Sequence, residues 1–118
     1  MYKSKNNLMY PVEHLVFMLE DPESVDEFIN LDHEIWTMFL AEYPDFVSKQ
    51  MWVNDNNPGE VHSIISWKTL EGWKAIPVEK LKFKDKEFHD NYTKGFKIIQ
   101  RIHVEHNHGI HEYSTYVK

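Results

Sequence analysis

Histidines are concentrated in one short stretch near the end of the chain. The segment HVEHNHGIH contains half of the eight histidines, namely His103, His106, His108 and His111. Imidazoles that share a helix face can bind zinc or copper, and Glu105 and Glu112 could add oxygen ligands. However, the chain has no cysteine to support such a site, and histidine is also favoured at the C-terminal end of a helix. We therefore predict no metal site and interpret the stretch as the end of a helix.

Two ionisable residues lie among apolar neighbours, where they could carry acid–base chemistry. His14 stands in the middle of PVEHLVFMLE, and Asp32 interrupts an apolar helical stripe. A histidine in a dry pocket can act as a general base on an acidic C–H or phenol. A buried carboxylate needs a partner, because an isolated buried charge is too costly. We take His14 and Asp32 as candidate catalytic residues; the structural alternatives are a hydrogen-bonded core histidine and an Asp32 that pairs with Lys49 or a tryptophan N–H.

Four tryptophans could form the walls of a site for a flat ring. Trp36 lies on the same helical stripe as Asp32, and Trp67 ends a predicted strand just before a helical turn. We take Trp36 and Trp67 as candidate substrate-binding residues. Trp52 and Trp73 are assigned to the core and a subunit interface, and Asp85, at the edge of a second stripe, is predicted to be exposed.

The first two elements follow from hydrophobic periodicity. The run at 11–20 has the β-branched and large apolar composition of a buried strand. A helix follows, with Asp21 as its cap and Pro22 at its first position. Its apolar stripe continues as far as Pro44, which ends it because the residue before a proline resists helical angles.

The elements after the first helix are predicted from several different sequence patterns. Strands at 45–53 and 60–67 form a hairpin across the turn cluster NDNNPG. Pro77 begins a second helix. Helical spacing of apolar residues predicts that 96–109 is also helical, although its isoleucines are good strand formers, and 110–118 is predicted to be the last strand.

This element order defines the fold class. The order β-α-β-β-α-β predicts an α+β, ferredoxin-like domain with a four-stranded antiparallel sheet and both helices on one face. We assign residues 1–10 to an N-terminal extension and residues 11–118 to this single domain. The other face of the sheet needs a cover, and a second copy of the chain would supply it, which predicts a homodimer.

Composition excludes several functional classes. The chain of 118 residues has a formal net charge of −6, which argues against nucleic-acid binding. No apolar run approaches the roughly 20 residues of a membrane span, and the start MYKSKNNLMYP lacks the apolar core of a signal peptide. With the absence of cysteine, this predicts a cytoplasmic protein. No phosphate loop, GxSxG elbow, Rossmann fingerprint or EF-hand is present.

Several longer motifs resemble a known family. They are VEHL in the first strand, DHEIW on the helix, YPDF and SKQMW at the second strand, SWKTLEGWKAIP after the third, and EYSTYV at the end. On these motifs the chain resembles an uncharacterised bacterial family within the antibiotic-biosynthesis-monooxygenase-like group of dimeric α+β barrels. The resemblance implies a dimer whose sheets face each other, with a small-molecule pocket between sheet and helices in each subunit.

The resemblance does not extend to haem degradation. Haem-degrading members of the group carry a tryptophan at the position of Trp67, but they use an asparagine on the first strand, where this chain has Glu13 and His14. Their haem-ligating histidine also follows the tryptophan more closely than His89 follows Trp67. We therefore predict no cofactor.

The sequence favours an enzyme, with a binding module as the rival interpretation. The expected activity is that of a cofactor-independent monooxygenase or related oxidoreductase, acting on a small aromatic or enolisable compound. His14 or Asp32 would deprotonate the substrate, which then supplies electrons to O₂, and Trp36 and Trp67 would orient its ring. The rival is a non-catalytic dimeric module that holds a small ligand, a metal or haem. Isomerisation or lactone chemistry would need the same base but no O₂.

Overall fold

Four antiparallel strands form the sheet on which the fold is built. The computed structural model describes residues 2–4, 11–104, 114–116 and 118. The strands in this part of the chain are β1 (Tyr2–Ser4), β2 (Val12–Leu19), β3 (Phe46–Val53), β4 (Glu60–Trp67), β5 (Phe96–Val104) and β6 (Ser114–Tyr116). Strands β2 to β5 form one sheet in the order β3-β4-β2-β5, whereas β1 pairs with β6 in a two-stranded ribbon.

One nearly continuous helical stretch follows β2. It consists of a 3₁₀ turn (Pro22–Ser24), α1 (Val25–Asp32), a π-helical segment (His33–Thr37) and α2 (Met38–Leu40). Its predicted cap is confirmed, since the Asp21 side chain accepts a hydrogen bond from the Glu23 N–H at 3.0 Å. The helical stretch ends at Leu40, shortly before Pro44, as the sequence indicates.

Two further helices follow β4. Helix α3 (Leu70–Lys74) is short and begins at Thr69, whose hydroxyl accepts a hydrogen bond from the Gly72 N–H at 2.9 Å. Helix α4 (Val78–Asn91) begins after Pro77, as predicted. The chain therefore follows the predicted β-α-β-β-α-β order, and the ferredoxin-like α+β fold is confirmed.

The helix predicted at 96–109 was wrong for residues 96–104, and residues 105–109 lie outside the described part of the chain. Phe96–Val104 is strand β5, which pairs with β2 and is the fourth strand of the sheet. Gly95 has a φ of +89°, so the chain turns sharply out of α4 before this strand begins. Helical spacing misled the sequence analysis because β5 must satisfy the open hydrogen-bonding edge of β2, and its isoleucines suit a strand. Of the predicted last strand, Ser114–Tyr116 is extended, but it pairs with β1 and not with the sheet.

The ribbon involves both ends of the described chain. Strand β1 lies within the predicted N-terminal extension, and it is antiparallel to β6. The division of the chain at residue 10 stays a prediction. Among the described helices, none combines the length and apolar character that crossing a membrane requires.

The core lies between the sheet and the helices. Alternate residues of β2, namely Leu15, Phe17 and Leu19, face the helices and pack there. Phe28 of α1 is at the centre of this layer. Its ring contacts four others at centroid distances of 5.2–5.5 Å, mostly edge to face: Phe17, Phe88, Tyr92 and Phe96. Because these rings come from α1, α4 and two strands, both main helices are fixed to the same face of the sheet.

A buried hydrogen bond ties the end of α4 to the turn before α1. The hydroxyl groups of Tyr92 and Ser24 are 2.6 Å apart, and the Ser24 hydroxyl donates to the Asp21 carbonyl at 2.7 Å. We expect Tyr92→Phe to lower the free energy of unfolding by about 1–2 kcal/mol, the usual cost of losing a buried hydrogen bond. Urea denaturation would measure it. Tyr116→Phe is the control, since Tyr116 is 75% exposed, and an equal loss in both variants would contradict the prediction.

Candidate functional site

A cavity of about 590 Å³ lies between the sheet and the helices. Its size is within the range of sites for small molecules. Three tryptophans from different elements line it: Trp36 from the π-helical segment, Trp67 from the end of β4 and Trp73 from α3. The cavity is therefore mainly aromatic and apolar, with a few polar groups.

The alternation of β4 explains where the space comes from. Val61, Ser63, Ile65 and Trp67 face the helices and are buried. Ser63 is the smallest of them and lies opposite Leu15 of β2 and Met51 of β3. A small side chain at the middle of the sheet leaves volume that larger neighbours would otherwise fill. The cavity therefore follows from the pattern of side-chain sizes along one strand.

A buried ion pair forms part of the cavity wall. The Lys49 Nζ and Asp32 Oδ2 atoms are 2.5 Å apart, and the two side chains are 3% and 7% exposed. The predicted pairing of Asp32 with Lys49 is thus confirmed. Such a pair is costly to break, because removing one partner leaves an uncompensated buried charge, worth about 3–5 kcal/mol.

The helix widens where Asp32 and Trp36 reach the cavity. The Met38 N–H bonds to the carbonyl of His33, five residues earlier, instead of four. Wide turns of this kind often occur at functional sites, because they change the direction of side chains on a helix. Asp32 lies at the start of this turn and Trp36 within it.

The indole N–H of Trp67 is an unused donor in the cavity wall. Trp67 is 1% exposed, and its Nε1 has no hydrogen-bond partner among the described residues. A buried donor without an acceptor costs about 1–3 kcal/mol.

The structure brings together three of the four predicted site residues. Asp32, Trp36 and Trp67 line the cavity, whereas His14 lies on the opposite face of the sheet. The cavity also contains Trp73, which the sequence analysis assigned to the core and interface. Trp73 could have been found only by knowing that α3 folds back over the end of β4.

His14 belongs to a separate series of hydrogen-bonded side chains, His14, His62 and Glu60, which we call the imidazole–carboxylate chain. Its Nε2 is 2.8 Å from Nδ1 of His62, and the other ring nitrogen of His62 is 2.6 Å from Oε2 of Glu60. One imidazole must accept in the first of these bonds, so the two histidines cannot both be protonated while it lasts. Sequence analysis missed this imidazole–carboxylate chain, because it depends on the register between β2 and β4.

The electrostatics of these three side chains favour a neutral His14 and a charged Glu60. Burial, and then the neighbouring His62, lower the pKa of His14 from its ordinary value of 6.5. Hydrogen bonds from His62, Asn57 and Asn54 lower the pKa of Glu60 to about 2. The carboxylate is therefore ionised throughout the physiological range.

Metal binding has no support in the described residues. No group of three or more histidine or carboxylate side chains in them could hold a metal ion. His106, His108 and His111 lie outside the described residues, as does the side chain of His103. The predicted absence of a metal site at the histidine-rich stretch therefore stays a prediction.

Comparisons with known proteins agree with this geometry. No protein-family model matches the chain, and no curated protein matches it in sequence. Among solved structures, a monooxygenase from the ActVA-Orf6 gene of Streptomyces coelicolor, in complex with nanaomycin D, has a TM-score of 0.57 at 11% identity, covering 78% of this chain and 88% of that one. SnoaB, a cofactor-independent oxygenase from Streptomyces nogalater, has a TM-score of 0.55 at 14% identity, covering 78% and 92%.

The fold is thereby established. This chain has the fold of the antibiotic-biosynthesis-monooxygenase-like proteins. A dimeric ferredoxin-like protein from an uncultured marine organism is also similar, with a TM-score of 0.54 at 9% identity, covering 80% of this chain and 84% of that one. At these identities the likeness extends to the fold alone, and the predicted resemblance is confirmed at that level.

The imidazole–carboxylate chain should make stability depend on pH. Because the folded protein holds the pKa of His14 below 6.5, the unfolded chain takes up this proton first as the pH falls, and the free energy of unfolding decreases. The lowered pKa of Glu60 extends the loss from about pH 4.5 towards about pH 2. We expect His14→Gln to flatten the fall in melting temperature between about pH 7 and about pH 5. The exposed His33 gives the control, His33→Gln, and equal flattening in both would contradict the assignment.

Proposed function

We propose that this protein is an oxidoreductase of the cofactor-independent monooxygenase type, acting on a small aromatic or enolisable compound in the cavity. The observation that carries the proposal is the buried Asp32–Lys49 pair in the wall of an aromatic cavity. The oxygenase activity of two proteins with the same fold supports it. Neither observation requires a metal or an organic cofactor.

The ion pair suits proton abstraction in a dry site. When Asp32 accepts a proton from a C–H or O–H group of the substrate, the negative charge moves from the carboxylate to a substrate oxygen. The ammonium group of Lys49 lies beside Asp32 and can stabilise the charge in either place. The net charge of the buried site does not change, so the step avoids creating a new charge at low dielectric constant.

The substrate supplies all the electrons for the reaction with O₂. Its carbanion or enolate forms a C–O bond with O₂, and Asp32 returns the proton to the outer peroxide oxygen. Removal of the second C–H proton with loss of water then leaves a carbonyl group, so that R₂CH₂ and O₂ give R₂C=O and H₂O. The carbon is oxidised and O₂ is reduced without a further reductant.

The remaining walls orient the substrate. Trp36 and Trp67 provide flat surfaces for a ring. Trp73 closes the same end of the cavity and helps to exclude water. His14 has no part in this proposal, because it lies on the other face of the sheet.

The other face of the sheet is the proposed dimer interface. Trp52 of β3 lies opposite His62 on this face and is 55% exposed. A similar fold occurs in a dimeric ferredoxin-like protein, which supports a second copy as the cover.

We expect light scattering to give about twice the 14.2 kDa chain mass. The variant Trp52→Asp should give the mass of the monomer, since the substitution would bury a charge in the interface. The control is Phe83→Asp, at a ring on α4 that is also exposed, which should leave the dimer intact. Dissociation by Phe83→Asp alone would place the interface on the helices.

Oxygen uptake tests the proposed activity. A panel of phenols, naphthols and 1,3-diketones would be screened for O₂ consumption and product formation. For any substrate found, we expect Asp32→Asn to lower kcat at least about 100-fold, since it removes the general base. Asp85→Asn, at an exposed carboxylate on the same cavity, should change kcat less than about threefold.

A second variant separates catalysis from folding. Asp32→Asn leaves Lys49 buried without its partner, so the double variant Asp32→Asn/Lys49→Gln, with both charges removed, should be folded and inactive. Full activity in the double variant would exclude Asp32 as the base. Product formation without O₂ uptake would instead indicate isomerisation, and tight binding without any product would indicate a binding module.

A further inference from the structure

The cavity opens between α4 and the edge strand β5. Most of its lining is buried or half-buried, and the exposed lining residues mark the mouth. Apart from Lys74 of α3, they lie on α4 and β5: Val78, Lys82, Asp85, His89 and Arg101. A ligand therefore enters along the edge of the sheet, with its deep end towards the tryptophans.

An irregularity in β5 directs Arg101 into this mouth. Phe17 of β2 is paired with Ile98, but the preceding residue of β2, Val16, is paired with Gln100, so Ile99 is an extra residue in the strand. The bulge shifts the alternation by one position. As a result Arg101 lies opposite Leu15 on the helix side, where a strand without the bulge would place Gln100.

The bulge interrupts the pairing of β5 with β2, and the packing of Ile99 does not compensate for this. Ile99 is 53% exposed, and it interrupts the ladder between β5 and β2. Bulges next to functional sites commonly redirect a side chain. Here the redirected side chain is the single arginine among the thirteen lysine and arginine residues of the chain.

The opposite walls of the mouth each carry a cation. Asp32 and Lys49 neutralise each other in the interior, and ionisable side chains of both signs line the rest of the cavity: Glu13, Lys74, Lys82, Asp85, His89 and Arg101. The carboxylate of Asp85 lies 3.6 Å from the imidazole of His89. Lys82 of α4 and Arg101 of β5 make no ion pair with the described residues, so both can bind an anionic group of a ligand.

We propose that the ligand of this cavity is an aromatic carboxylate whose carboxylate group is bound at the mouth by Arg101 and Lys82. The planar guanidinium group of Arg101 matches a carboxylate with two parallel hydrogen bonds, and Lys82 adds a second charge. This inference rests on the proposed function for the location of the reacting end. It adds the class of substrate and its orientation.

The register of the sheet sets the length of the ligand. Arg101, Leu15, Ser63 and Met51 form one row across the four strands, and Lys49 is two residues from Met51 on the far edge strand. Three strand spacings separate β5 from β3, which is roughly 14 Å. A ligand that reaches from Arg101 to the Asp32–Lys49 pair therefore extends over the two central strands and the small Ser63.

A matched pair of probes tests the charge preference. The probes are 6-hydroxy-2-naphthoate, with a phenol at one end and a carboxylate at the other, and its neutral amide of the same shape. We expect titration calorimetry to show that the protein binds the naphthoate at least about tenfold more tightly than the amide. Arg101→Gln should reduce this preference to about twofold or less without changing the affinity for the amide, and Arg101→Lys should retain part of it.

Controls separate this inference from the proposed activity. Lys82→Gln should lower naphthoate affinity by about threefold, whereas Lys80→Gln, on the same helix but outside the cavity lining, should not change it. Equal affinities for the two probes, an unchanged preference in Arg101→Gln, or no binding of the naphthoate would each overturn the inference. If the preference holds but no compound in the oxygen screen is oxidised, the carboxylate site stands and the monooxygenase proposal fails.

Discussion

The two-residue alternation of the sheet governs the organisation of this protein. Leu15, Phe17 and Leu19 of β2 must lie under the helices because only that face supplies an aromatic layer to receive them. Once they do, His14 is directed to the other face, together with His62 and Glu60. The molecule therefore has an aromatic cavity on one side of the sheet and a chain of proton-binding groups on the other. A shift of one residue in β2 would exchange the two environments.

Two aromatic clusters give the cavity rigid walls. One is centred on Phe28 between α1, α4 and β5, and the other contains Trp67 and Trp73 beside the short helix α3. Trp36 packs against both clusters, so the cavity lies between two well-packed regions and is not a gap in a loose core. This rigidity matters for a site that holds a buried ion pair, because Asp32 and Lys49 stabilise the fold only while their geometry is maintained.

Local signals in the sequence were sufficient for most elements but not for the contacts between them. Asp21 and Pro77 identified the helix starts correctly, because capping depends on neighbouring residues alone. Strand β5 was missed, since its apolar spacing fits a helix and only pairing with β2 decides otherwise. Asp32, Trp36 and Trp67 could be proposed from an apolar stripe and a strand end. The link between His14 and His62 and the position of Arg101 depend on register and a bulge, which no local pattern encodes.

The bulge at Ile99 also bears on how the ligand preference of this fold can change. Residues 96–98 and 100–104 of β5 pair with β2 in two registers that differ by one residue, and Ile99 takes up the difference. The loss of a single residue at position 99 would therefore make the strand regular and leave Arg101 opposite Leu15, so the cation would stay at the mouth. A change between charged and neutral ligands on this scaffold thus requires substitution of Arg101 itself, whereas the length of the edge strand can vary at the bulge without altering the mouth.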